Sequence, residues 1–182
     1  MGMTQLLDDL TKWVQESICN ELEFKKPSAR GDASYEYELL KPTAFPCFCL
    51  PQDKTSLPSS PSVTVQIDSF ADDLTNESVA SIALIFSVWN TGTHSRNEDG
   101  TPTFEKNHDG WRDLWRFIDK ARQAIREHFC VAGYEVKSEI SGRPLSGDSA
   151  IMGTYPYFFG EVTFTIGTID STDTAIDVRK LL

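Results

Sequence analysis

Apolar side chains recur at steps of three and four between Asp109 and Cys130: Trp111, Leu114, Trp115, Ile118, Ala121, Ile125 and Phe129. That period marks one stripe of an α-helix, and a stripe of this width needs a surface to cover. The opposite side carries Arg112, Arg116 and Lys120 at steps of four, with Arg122 and Arg126 beside them. The period therefore puts Trp111 and Trp115 in the core and the basic row in solvent or against a partner. Asn107 or Asp109 is placed to cap the start of this helix, and Gly133 to end it. A second helical period runs through Leu6, Leu7, Leu10, Trp13, Val14, Ile18 and Leu22. Thr4 stands at its N-cap position, Lys25 and Lys26 near its negative pole, and Pro27 stops it.

Four stretches read as strands. Tyr35, Tyr37 and Leu39 alternate with Glu36 and Glu38, and Val63, Val65 and Ile67 alternate with Thr64, Gln66 and Asp68. Val79 to Trp89 is almost continuously apolar, as expected of a strand buried on both faces at the centre of a sheet. Phe158 to Ile169 sets Phe158, Val162, Phe164 and Ile166 on one face and Glu161, Thr163 and Thr165 on the other. Tyr134 to Ile140 is a fifth, shorter candidate. Pro42, Pro46, Pro51, Pro58 and Pro61 fall in one serine-containing span, which reads as an irregular arm. Ser69 to Ser78, Asn90 to His108 and Ser141 to Pro156 read as connections, and the residues after Asp170 as a mobile polar tail.

With 182 residues there is enough chain for one well-buried domain, subdivided as 1–34 (N-terminal helix and turn), 42–61 (arm), 62–169 (core) and 170–182 (tail). The pattern supports an α+β fold: a mostly antiparallel sheet of four to five strands, covered on one face by two amphipathic helices. The formal net charge is −10, and residues 61–108 hold seven carboxylates against two basic side chains, so acid accumulates just before the basic helix. Such a balance argues against sequence-specific nucleic-acid binding, whose affinity draws on Lys and Arg. No apolar run reaches the roughly 20 residues needed to cross a bilayer, and Asp8 and Asp9 interrupt the place of a secretory signal. The expectation is a soluble cytosolic product without a membrane partner.

Candidate chemistry is sparse. Cys19, Cys47, Cys49 and Cys130 are expected as free, mostly buried thiols, and one residue between Cys47 and Cys49 suits neither a disulfide nor a zinc knuckle. Ser141, Gly142, Arg143 and Pro144 lack the lysine and the following helix of a phosphate loop. Asp72 with Asp73 and Glu98 with Asp99 are adjacent pairs, and neighbours on a strand point to opposite faces. No catalytic residue, cofactor or metal is expected; the remote alternative is a small hydrolase working through His94, His108 and Asp109.

Four stretches taken together resemble the tail terminator and related tail-completion proteins of long-tailed phages and prophages: PSVTVQIDSFADD from Pro61, VASIALIFSVWN from Val79, DGWRDLWRFIDKARQAIREHF from Asp109 and YPYFFGEVTFTIG from Tyr155. The resemblance implies a structural virion protein, assembled in the host cytoplasm, that forms a ring, usually a hexamer. The ring caps the tail tube protein and presents a surface to a head completion protein. Another head-tail connector or tail assembly protein is the neighbouring alternative. A ring is a head-to-tail contact between two unlike patches. The candidates are Arg112, Arg116 and Lys120 on one side and Asp68, Asp72, Asp73 and Glu77 on the other.

Overall fold

The long alternating and apolar runs become the inner strands of one five-stranded sheet in a computed structural model, which describes residues 2–27, 38–49, 59–72, 78–107, 109–145 and 155–168. In chain order the elements are α1 (Met3–Ser17), a 3-10 turn (Cys19–Glu21), β1 (Phe24–Lys25), β2 (Leu39–Leu40), β3 (Thr43–Pro46), β4 (Ser62–Asp72) and β5 (Ser78–Trp89). There follow β6 (Thr93–Arg96), β7 (Pro102–Glu105), α2 (Gly110–His128), β8 (Cys130–Val131), β9 (Tyr134–Glu135), β10 (Ser141–Pro144) and β11 (Tyr157–Thr168). The main sheet has the order β10-β11-β5-β4-β3, antiparallel except for the parallel β3–β4 pair. Among the described residues there are also three two-stranded ribbons, β1–β2, β6–β7 and β8–β9. The fold is α+β, and β5 is its central strand, as the apolar run predicts.

One register explains the core. Val63, Phe86 and Gly160 lie abreast across β4, β5 and β11, followed by Val65, Leu84 and Val162, then Ile67, Ile82 and Phe164. α1 packs against β3 and β4, and α2 against β11 and β5. Leu6, Leu10 and Val14 of α1 and Leu114, Phe117, Ile118, Ala121 and Ile125 of α2 join the sheet residues in a single buried cluster. Phe117 touches Phe86 edge-on at 4.8 Å between ring centroids and Phe24 at 4.9 Å, so three aromatic side chains fasten helix, central strand and β1 together. Burial of each is worth about 1.5–3 kcal/mol. Gly160 lets α2 come this close: a Cβ there would stand 2.9 Å from Ile118 Cδ1 and 3.2 Å from Leu114 Cδ1.

Several sequence expectations are corrected. Thr4 lies inside α1, whose N-cap position is Gly2, and the helix ends at Ser17 rather than Leu22. The 3-10 turn redirects the chain so that Cys19, Leu22 and Phe24 all enter the core. Lys25 therefore sits on β1, away from the helix pole. Thr43–Pro46 of the proline-bearing arm is a strand, because β3 occupies the sheet edge, where a residue without an N–H costs little. The same holds for Ser141–Pro144, expected as loop, which forms the opposite edge beside β11. β4 continues through Asp72, with a bulge between Ile67 and Ser69, where a connection was expected. Part of the 90–108 connection is the β6–β7 hairpin, and only Tyr134–Glu135 of the fifth candidate strand is strand. α2 ends with Phe129 in the left-handed region (φ 51), while Gly133 (φ 89) lies between β8 and β9. The expected strand at Tyr35 to Tyr37 and the tail after Asp170 lie outside the described residues.

The helical stripe is also rotated from its predicted phase. Leu114, Phe117, Ile118, Ala121, Ala124 and Ile125 are buried, whereas Trp115 is 44 % exposed and Phe129 71 % exposed. Wide stripes leave the exact facing open by one position, and the sheet chose Phe117 over Trp115. Of the four cysteines, all free, only Cys19 is buried; Cys47 and Cys130 are exposed and Cys49 is intermediate, so the expectation of mostly buried thiols fails.

Candidate functional site

α2 presents its unburied side as an open groove of about 650 Å³ lined by Leu22, Trp111, Trp115, Arg112, Arg116 and Lys120, with Asp119 and Gln123 on the same wall. Trp111 and Trp115 are there because the helix turned Phe117 inward, which left two indoles at its rim. Trp111 is anchored edge-on against Phe158 of β11 at 5.4 Å between ring centroids. Trp115 has no such ring partner among the described residues.

The three basic residues of the predicted row prove unequal. Arg112 is paired with Asp109, one turn earlier, and Lys120 with Glu21 of the 3-10 turn, 99 residues away in sequence. Lys120 is accordingly only 20 % exposed in its side chain, and part of its charge is answered within the chain. Arg116 is exposed and has no ion pair among the described residues. Asp119, the carboxylate on the groove's wall, lies 3.4 Å from Arg122, a surface pair of small energetic weight. The groove is thus apolar on one wall, with its accessible positive charge at Arg116.

The acidic candidates lie at the far end of β4. Asp68 is the extra residue at the bulge, and Asp72 accepts a hydrogen bond of 2.9 Å from Ser78 at the start of β5. Both are exposed and neither makes an ion pair among the described residues. Asp73 and Glu77 lie outside the described residues. Between Asp68 and Asp72 stands Phe70, paired with Ala80 and 63 % exposed. Phe70 falls in the Ser69 to Ser78 stretch, whose polar pattern is that of a connection; the local signal that marks it is an aromatic residue between carboxylates.

A polar knot holds the start of α2. Asn90, at the end of β5, donates to Asp113 at 2.6 Å and accepts from Lys25 Nζ at 3.2 Å, and Lys25 also donates to the Gly92 carbonyl at 2.7 Å. Burial lowers the pKa of Lys25, opposed by the nearby Asp113 and Asp109 carboxylates. Asp109 does not cap the helix through its side chain; it accepts hydrogen bonds from Asn107 and Arg112. Because these partners come from β1, β5 and α2, no local pattern announces them. The knot ties the first turn of α2 to β1 and to the end of β5.

His94 of the remote hydrolase alternative packs against Phe104 in the β6–β7 hairpin at 4.9 Å between ring centroids, Asp109 is engaged as described, and His108 lies outside the described residues. Among the described residues no three His, Cys, Asp or Glu side chains are grouped so as to hold a metal ion, and no helix is long and apolar enough to cross a membrane. A scan against protein-family models returns no match, and a search of curated proteins finds no relative.

Proposed function

We propose that this chain is a structural virion protein of the tail terminator kind, which self-associates into a ring, caps a phage tail tube and offers the head a surface. The observation that carries the reading is the pair of unlike, oppositely charged surfaces on one chain: the Arg116 groove on α2 and the Asp68–Asp72 end of β4. Head-to-tail assembly needs two such different patches, whereas a two-fold dimer needs one that matches itself. In this reading α1 and α2 form one layer on a single face of the sheet. Copies of this layered domain then stand side by side in a ring around the tube. The four resembling stretches all fall on elements that build this arrangement: β4, β5, α2 and β11.

The test is the size of the purified chain in solution and its response to charge. Sedimentation should show a discrete oligomer that weakens as ionic strength rises, since exposed charges are screened over about 8 Å at physiological salt. Arg116→Glu should weaken association most at low salt, and an added Asp72→Lys should restore it. A chain that stays monomeric at every concentration and salt, and leaves purified tail tubes uncapped in electron micrographs, would overturn the proposal.

A further inference from the structure

Phe70 is an apolar anchor without a seat, and the groove between Trp111 and Trp115 is a seat without an anchor; we infer that they belong together, on two copies of this chain. The inference rests on the self-association proposed above and names its contact. Phe70 and Asp72 pair with Ala80 and Ser78, so both point to the face of the sheet that carries the core. Ala80 is buried, yet Phe70 beside it on the same row is 63 % exposed. The five residues from Asp68 to Asp72 are all exposed. β3 accompanies β4 only from Ser62 to Val65, so this end also has one edge without a strand neighbour among the described residues.

The groove supplies what that end lacks. Trp115 is 44 % exposed, Trp111 is held rigidly by Phe158, and Arg116 stands beside them without an ion pair among the described residues. Aromatic residues and arginine are the side chains that dominate interface energetics when water is excluded around them. Phe70 flanked by Asp68 and Asp72 complements Trp111 and Trp115 beside Arg116 in apolarity and charge sign, while the groove's carboxylate, Asp119, is 3.4 Å from Arg122.

The two parts are kept apart within one chain. Trp111 touches Phe158, which pairs with Val88 near one end of β5, while Phe70 pairs with Ala80 near the other. Eight residues of strand separate those positions, about 26 Å. A chain cannot close this contact on itself, but a neighbour placed head to tail can, and the pair then still offers one free groove and one free end of β4.

The test uses the full chain and two variants that each spoil one side, Phe70→Ser for the end of β4 and Arg116→Glu for the groove. Measured on dilute chain, both should keep the wild-type unfolding midpoint, because both side chains are exposed, and each alone should associate roughly tenfold or more weakly than wild type in sedimentation, as loss of a central interface residue does. Mixed together they should form a one-to-one pair and nothing larger, since each retains the half that the other lost. Titrating wild-type chain should also shift Trp115 fluorescence to the blue, a change absent in Trp115→Phe. If both variants form the wild-type oligomer, this contact is wrong while self-association stands. If Arg116→Glu weakens assembly and Phe70→Ser does not, the groove takes another occupant and the inference also fails. A wild-type chain that is monomeric throughout removes the underlying proposal as well.

Discussion

The two halves of β4 share a partner strand and an alternating sequence, and they meet opposite fates. Ser62, Val63, Thr64 and Val65 are buried on both faces, whereas the five residues from Asp68 to Asp72 are exposed, Phe70 included. What differs is the neighbourhood: the first half has β3 along its edge, and the second half has no strand there among the described residues. Alternation decides which way a side chain points, while burial depends on what arrives to cover it. The second half also bears the marks of an edge kept from promiscuous pairing, a bulge at Asp68 and a terminal carboxylate at Asp72. It is exposed yet guarded, which suits a surface meant for one partner.

The largest effect belongs to the covered half. Phe86 pairs with Val63 and packs on Phe117, and it is wholly buried. Phe86→Ala should destabilise the fold by about 3–5 kcal/mol, read as a lower urea midpoint at unchanged slope. A loss under about 1 kcal/mol, the size typical of surface positions, would mean that the two halves of the sheet are equally loose. Next comes Gly160, abreast of Phe86 on β11. Gly160→Ala forces a methyl against Ile118 and Leu114 and should cost about 1–3 kcal/mol by overpacking. An added Ile118→Val, which shortens the side chain in the way, should recover part of that loss; no recovery would show that the strain lies against the Arg143 carbonyl at 3.2 Å instead.

How far this organisation could be read in advance depends on whether the signal was local. β5 and β11 were legible because each is a long run whose pattern matches its place, and α2 was legible from its period. Its facing was not, since Trp115 and Phe117 both extend the stripe and only the sheet, through Phe86 and Phe24, selects between them. Pro46 in β3 and Gly142 with Pro144 in β10 have the look of loop signals in sequence, because edge strands tolerate the residues that interrupt inner ones. For the candidate site, the charges of Arg116, Asp68 and Asp72 were visible. That Lys120 would turn to Glu21, and Arg112 to Asp109, was not, and the first of these spans 99 residues. The exposure of Phe70 and Trp115 follows from coverage, which no single stretch encodes.

A pH measurement sharpens the contrast from the covered side. Burial pushes the Cys19 thiol from its usual 9.0 up to about 12, so the folded chain keeps a proton that the unfolded chain gives up. This contribution is fully present below pH 9 and is lost as pH rises toward 12, at about 1.4 kcal/mol per pH unit at most. The difference in stability between wild type and Cys19→Ala should therefore be constant below pH 9 and decline above it. Equal pH profiles for the two chains would place Cys19 in contact with water and weaken the picture of a closed core beneath α1.

The smallest effect is expected where the comparison is most exposed to failure. Phe70→Ser changes a large aromatic side chain in a strand, a substitution that inside the sheet would be severe. At 63 % exposure, Phe70 gives up little contact when it is lost, and serine remains compatible with an outer strand even if it favours one less than phenylalanine does. Its unfolding free energy should lie within about 0.5 kcal/mol of wild type, as for surface substitutions away from special features. Because unfolding is measured most simply on dilute chain, where copies are apart, this value reports coverage within one chain and is blind to assembly. A loss of several kcal/mol there would show that the far half of β4 is covered by its own chain, that the two halves do not differ as described, and that Phe70 already has its seat.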